Sequence, residues 1–158
     1  MQDDDELFLC MNQVEYLFLR SLNELGICQL EMIVEEAVVN EARRGKLDRS
    51  DLPPELTLLY KNAAPIETVE GCKAFRLYWK RFAAYLVTEE CVGSCGRYED
   101  EVYEGKRLRI YSKSHFLEHL AHDTGAHSKP LLHLKILCEN QIIDVASEDS
   151  PSIEIISL

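Results

Sequence analysis

The sequence predicts an α+β fold: helices at the N-terminus, then an antiparallel sheet of four or five strands with one helix inserted. Three observations predict it. Up to about residue 44, apolar residues recur at intervals of three and four, the period of a helix face. From Ala74 onward they alternate with polar residues, the period of a strand. No Gly-rich turn of the GxGxxG or GxxxxGK[ST] type joins a strand to a helix, so the parallel nucleotide-binding architectures lack their signature.

The elements follow in order. Leu7, Cys10, Met11, Val14, Leu17, Phe18, Leu22 and Leu25 outline a first helix, and Gly26 supplies its stop. Leu30, Ile33, Val34, Ala37, Val38 and Ala42 outline a second, with Arg43 and Arg44 at its negative end. The competing reading is a strand over Cys28–Glu35, where Leu30, Met32 and Val34 alternate; length favours the helix. Asp51-Leu52-Pro53-Pro54 and Ala63-Ala64-Pro65 mark a connector, with room for a helical turn over Glu55–Lys61. Phe75, Leu77 and Trp79 give one strand and Phe82–Glu90 continues it, the phase broken at Lys80-Arg81 by a bulge or a second strand. Cys91–Tyr98 reads as loop, and Arg107–Tyr111 as strand. Ser112 or Ser114 caps a helix running to about Thr124, with Gly125 as its stop. Leu132–Cys138 and Ile142–Ala146 form a hairpin around Asn140-Gln141, and Ile153 and Ile155 add a last strand. The whole is read as one domain, residues 1–158: a helical segment 1–52, a connector 53–72, and a sheet plus helix over 73–158.

Composition restricts the partners. Seventeen Lys and Arg against 28 Asp and Glu give a formal charge of −11, which repels phosphate backbones and anionic membranes and attracts a basic protein. No run of apolar residues is long enough to span a bilayer, and the start, Met1-Gln2-Asp3-Asp4-Asp5-Glu6, is acidic where a signal peptide is basic; the expected compartment is the cytoplasm. Cys10, Cys28 and Cys138 sit among apolar residues and read as small buried hydrophobes; Cys91 and Cys95 flank a loop and lack a second pair to complete a zinc site, so a structural or incidental role is the reading for the cysteines, with a redox pair as the alternative. No GxSxG elbow is present.

All five histidines lie between residues 115 and 133. His115, His119 and His122 share one helix face, opposite Phe116, Leu117, Leu120 and Ala121. Two histidines four apart can hold one ion, but His115 and His122 lie about 10 Å apart along the axis and cannot share it. A zinc or iron site would combine His119 with His115 or His122 and take further ligands from Asp123, His127 or His133. Without one, the face is a solvated, pH-sensitive surface, and no cofactor is required. The carboxylate pairs Glu35-Glu36 and Glu89-Glu90 are expected in an acidic chain; acid–base catalysis needs two carboxyls facing across a cleft. The run Tyr98, Glu99, Asp100, Glu101, Tyr103 and Glu104 mixes acid with tyrosine, the combination that anchors on basic protein surfaces. Trp79, Tyr78, Phe82 and Tyr85 form an aromatic cluster suited to a sheet core.

The second half also carries a resemblance. Phe75-x-Leu77-x-Trp79, Ala84-Tyr85-x-Val87-Thr88-Glu89-Glu90, Tyr103-x-Gly105 and Leu108-x-x-Tyr111-Ser112-Lys113-Ser114-x-Phe116-Leu117 come first. His133-x-x-Ile136-x-Cys138-x-Asn140-x-x-Ile143-Asp144-Val145 and Pro151-x-Ile153 complete it. The pattern resembles a family of small acidic bacterial proteins without assigned activity, and in kind it is similar to the immunity proteins of bacterial toxin systems, which bind and block a toxin. The resemblance implies structural roles for His133, Asn140 and Asp144 at strand ends, with Asp144 fixing the hairpin. Taken together, the expectation is a non-catalytic binding protein with a basic partner such as a toxin domain. The alternative is a metal-dependent hydrolase built on the histidine cluster. A homo-oligomer joined through the histidine face would dissociate as pH falls through about 6.5.

Overall fold

The structure, a computed structural model, describes residues 2–46, 53, 56, 60–93, 100–124 and 129–157. Among the described residues, two five-stranded antiparallel sheets face each other across a single core; an N-terminal helix touches both, and a helix late in the chain packs on the second. The α+β class stands, but one sheet has become two, and the N-terminal half is mostly strand.

Helix α1 (Gln2–Gln13) ends well before Leu25. Strands β1 (Tyr16–Gly26) and β2 (Gln29–Val39) then form a long hairpin around the two-residue turn Ile27-Cys28, with Cys28 in the left-handed region at φ 60°. The predicted helices over Leu7–Leu25 and Leu30–Ala42 are thus corrected, and the reading of Cys28–Glu35 as strand holds. The reason lies in the spacing. A bulge at Arg20 breaks the two-residue period, so Leu17, Leu19 and Leu22 pack toward the core at intervals of two and three. In β2, apolar Ile33 on the outer face sits between core-facing Met32 and Val34 and completes a false helical stripe. Cys28 is exposed in the turn, a correction to its reading as a buried hydrophobe; Cys10 is half-buried, and Cys138 is buried, with its thiol pushed up to about 12 by desolvation.

A short 3-10 turn (Glu41–Arg43) follows, and the connector contributes strand β3 (Ile66–Glu67), which pairs with β2. Most of the segment expected to make a helical turn over 55–61 lies outside the described residues. Strand β4 (Ala74–Trp79) pairs β2 on one side and β10 (Ser152–Ile156) on the other, giving the first sheet the order β1-β2-β4-β10. At Lys80-Arg81 the chain passes into the second sheet, so the phase break separates two strands of different sheets.

The second sheet runs β5-β9-β8-β7-β6: β5 (Phe82–Glu89), β6 (Val102–Glu104), β7 (Leu108–Lys113), β8 (Leu132–Leu137) and β9 (Gln141–Ser147). One helical turn, Glu90–Gly93, follows β5 where loop is predicted. Helix α2 (His115–Thr124) comes between β7 and β8, as expected. Its predicted stop, Gly125, lies outside the described residues.

The core combines Leu30, Met32, Val34, Phe75, Leu77 and Trp79 of the first sheet with Leu108, Leu134, Ile136, Ile143 and Val145 of the second. Met11 and Val14 close it from the N-terminal side. Removing this apolar surface from water is the main force joining the sheets. Trp79 is core, and Phe82 meets Tyr85 edge-to-face at 5.5 Å, whereas Tyr78 takes the outer face.

Polar clamps tie the parts together. Asn12 Oδ1 accepts from the backbone N–H groups of Lys106, Arg107 and Leu108, fixing the end of α1 to the start of β7. This contact needs Gly105, whose φ is +96° and whose absent Cβ would lie 2.0 Å from Leu108 O. Asn140, in the β8–β9 turn, hooks β1 by accepting from Leu19 N–H at 2.9 Å and donating to Leu19 O at 3.0 Å. Among the described residues, no helix is long and apolar enough to cross a membrane.

Candidate functional site: a polar helix start beside an open sheet edge

Helix α2 begins against the second sheet, and two different polar groups meet there. The inner one is buried. Ser114 Oγ caps the helix by accepting from Leu117 N–H at 3.2 Å. The same oxygen lies 2.7 Å from His133 Nδ1, and His133 Nε2 lies 2.8 Å from Asp144 Oδ1. Lys135 Nζ completes the chain at 3.1 Å from Asp144 Oδ1. One proton arrangement satisfies every atom: the serine hydroxyl donates to Nδ1, and Nε2–H donates to the carboxylate. Burial pulls the Lys135 ammonium down, but the Asp144 charge, with help from Tyr111, outweighs it and leaves the group above its ordinary range.

This is the residue set of a serine hydrolase relay, yet its geometry is structural. Ser114 is only 4% exposed and His133 1%, so a substrate could reach the hydroxyl only if α2 lifted off the sheet. The oxygen already serves as the helix cap. Its effect is to pin α2 to β8 and β9. Asp144 sits mid-strand in β9 and bonds His133 and Lys135 of β8, so it ties the two strands of the hairpin and, through His133, the helix; His133 is the second residue of β8, and the Asn140 side chain in the turn ties the hairpin to β1.

The outer group is exposed. His115, the first residue of α2, places Nε2 2.7 Å from Asp100 Oδ1 and Nδ1 2.8 Å from Glu118 Oε2. Lys113 Nζ lies 2.6 Å from Asp100 Oδ2, and Glu101 Oε1 accepts from His115 N–H at 3.0 Å. Hydrogen bonds from Lys113 and then His115 hold the Asp100 carboxyl far below its usual range. The bond to Asp100, with the Asp100 and Glu118 charges behind it, raises His115 above its ordinary value.

An aromatic column links this corner to the sheet edge. Phe116 packs against His133 at 5.1 Å, His133 stacks on Tyr111 at 4.2 Å and 21°, and Tyr111 meets Tyr103 at 5.1 Å. The Arg109 guanidinium caps the column 4.3 Å above the Tyr103 ring. Among the described residues, Tyr103 lies in β6, which ends the second sheet and is exposed at all three of its residues. The tyrosine is thus 41% exposed and yet backed on both sides.

The predicted residues are distributed as follows. Asp100 and Glu101 are engaged with the start of α2; Tyr103 and Glu104 stand on the open edge; Tyr98 and Glu99 lie outside the described residues. His119 and His122 are exposed on α2, and His127 is outside the described residues, as is Cys95 of the proposed redox pair, whose other member, Cys91, is an exposed free thiol. No group of three His, Cys, Asp or Glu side chains among the described residues is placed to hold a metal ion.

The Ser114–His133–Asp144 chain has a trace in the sequence. His133 falls out of phase with Leu132, Leu134 and Ile136, and Asp144 interrupts the apolar run Ile142–Ala146. A carboxylate in such a run needs a buried partner. That the partner is His133, eleven residues away, follows only from the β8–β9 pairing.

No family model, curated protein or solved structure matches the chain.

Proposed function

We propose that the protein is a non-catalytic binding protein that docks a basic protein partner along the β6 edge, and that its partner is of the toxin-domain kind, neutralised on binding. The observation that carries this reading is Tyr103: an aromatic side chain held rigid between Arg109 and Tyr111, yet open to solvent on a terminal strand. A pre-ordered aromatic loses little conformational freedom on binding and makes an effective anchor. Val102 adds exposed apolar surface beside it, and Glu104 adds charge. The −11 net charge accelerates encounter with a cationic surface.

An inhibitor of this kind is inherited with its target, so the test is co-purification with any basic protein that an adjacent reading frame encodes. The expected outcome is a complex that weakens as salt rises and is lost in Tyr103→Ala and Glu104→Lys. A complex indifferent to both substitutions would refute the edge as the docking site. Turnover of a defined small molecule, abolished by His119→Ala, would replace the reading with the metal-dependent hydrolase.

A further inference from the structure

In a chain with 28 acidic residues against 17 basic ones, arginines find carboxylates readily. Arg20, Arg43, Arg44, Arg76, Arg81 and Arg107 each lie against a glutamate. Arg109 differs. Among the described residues its side chain makes no hydrogen bond and no ion pair; its guanidinium lies over the Tyr103 ring, 4.3 Å from the centroid, and its Nε is buried without a partner. Arg107, two residues earlier, shows the ordinary case. Its Nε is also buried without a partner, but its terminal nitrogens donate to Glu139 Oε1 at 2.8 Å and to Glu15 O.

The register of the sheet explains why. Leu108 faces the core, so Arg109 stands on the outer face of β7, directly opposite Lys135 of β8. Its cross-strand neighbour thus carries the same charge, an unfavourable pairing. Lys135 has its own anion, Asp144 of β9, at 3.1 Å. On the other side, β6 offers the uncharged ring of Tyr103. Among the described residues, the charge of Arg109 is therefore the one on this face that no carboxylate balances. The group is also held in place, half-buried with the tyrosine behind it. A side chain ordered in advance loses less freedom on binding. The terminal N–H groups of a guanidinium form a fork that matches the two oxygens of a carboxylate. One balancing charge suits a monoanion; a phosphate dianion calls for a second cation, and Lys135 is already engaged with Asp144.

We propose that Arg109 is a carboxylate-binding site: an acidic side chain or a chain end lies beside Tyr103 and pairs with the terminal N–H groups of the guanidinium. The site does not require the docking reading, since it rests on the unbalanced charge of one arginine. Combined with that reading, it adds a requirement. A partner that is basic overall must still set one carboxylate beside the tyrosine anchor.

Magnetic resonance titration of the isotopically labelled full-length protein tests this without a partner, so docking can fail while the site stands. The probes are aspartate blocked at both ends, N-acetylglycine, asparagine blocked at both ends, and inorganic phosphate, all at constant ionic strength. Both carboxylates should give saturable shifts at the Arg109 Nε–H and at the backbone amides of Tyr103 and Arg109. Tighter binding of blocked aspartate assigns a side chain as the ligand, and tighter binding of N-acetylglycine a chain end. Blocked asparagine should give no such shifts. Arg109→Gln should weaken binding about tenfold or more, read at the Tyr103 amide, and Arg109→Lys, which keeps the charge without the fork, should weaken it less. Arg20→Gln, which removes an arginine already paired with Glu35, should leave it unchanged. Thermal unfolding of each variant controls for folding. Shifts that fail to saturate, that blocked asparagine reproduces or that survive Arg109→Gln would overturn the proposal. So would phosphate binding more tightly than either carboxylate.

Discussion

Two histidines at the same helix start have opposite surroundings. His133 is buried between a serine and an aspartate, stacked on Tyr111, and its polar atoms are consumed within the fold. His115 lies half-buried between the exposed Asp100 and Glu118, where water competes for the contacts. The first arrangement resembles catalytic machinery and acts as a clamp; the second consists of surface charge. Residue type alone does not separate these roles. Burial and the number of satisfied hydrogen bonds do, because an unmade bond is costly only where water cannot replace it.

The comparison can be broken in stages. His133→Ala should have the largest effect, about 3 kcal/mol of destabilisation, since it opens a cavity and strands both Ser114 and Asp144. Urea unfolding measures it, and a loss as small as that of a surface substitution would mean the chain does not clamp the helix. Ser114→Ala should cost about 1–2 kcal/mol, the value of a lost helix cap with one buried acceptor left open. Hydrogen exchange should show that loss concentrated in the first turn of α2. Asp100→Asn should disturb stability least, because Asp100, Lys113 and His115 are all accessible to water.

The same substitution changes a titration. His115 is raised from 6.5 by Asp100, so the proton-holding interaction stabilises the fold fully below pH 6.5 and is lost as pH rises through the elevated folded value. Seen from Asp100, which is lowered from 3.8, it is present above pH 3.8 and lost as pH falls through the depressed folded value. The contact is therefore fully formed between about pH 3.8 and pH 6.5. Proton resonances of His115 should titrate above 6.5, and Asp100→Asn should bring the midpoint down; an unmoved midpoint would show that the pairing is absent in solution.

Much of the second half was legible because most of its strands keep a period of two over several residues and its helix announces itself with Ser114 and a clear apolar face. β4, β5, β7, β8, β9, β10 and α2 all lie where the pattern puts them. The first half was not legible, for reasons that can be named. The bulge at Arg20 turns an alternating strand into one with spacing near that of a helix, and Ile33 fills in the opposite face of β2. The division into two sheets was hidden as well, because a two-residue link at Lys80-Arg81 looks the same whether it bends one strand or changes sheets. In the candidate site, Tyr103 and Glu104 were named from composition, and the structure places both on β6. Their support from Arg109 and Tyr111 was not named, since cross-strand neighbours depend on register.

Amide hydrogen exchange on a mixture with a basic toxin domain tests the docking proposal at residue level. Val102, Tyr103 and Glu104 should gain protection on mixing, and the gain should fade as salt is added. Protection that appears elsewhere while these three amides continue to exchange at their free rates would contradict the account.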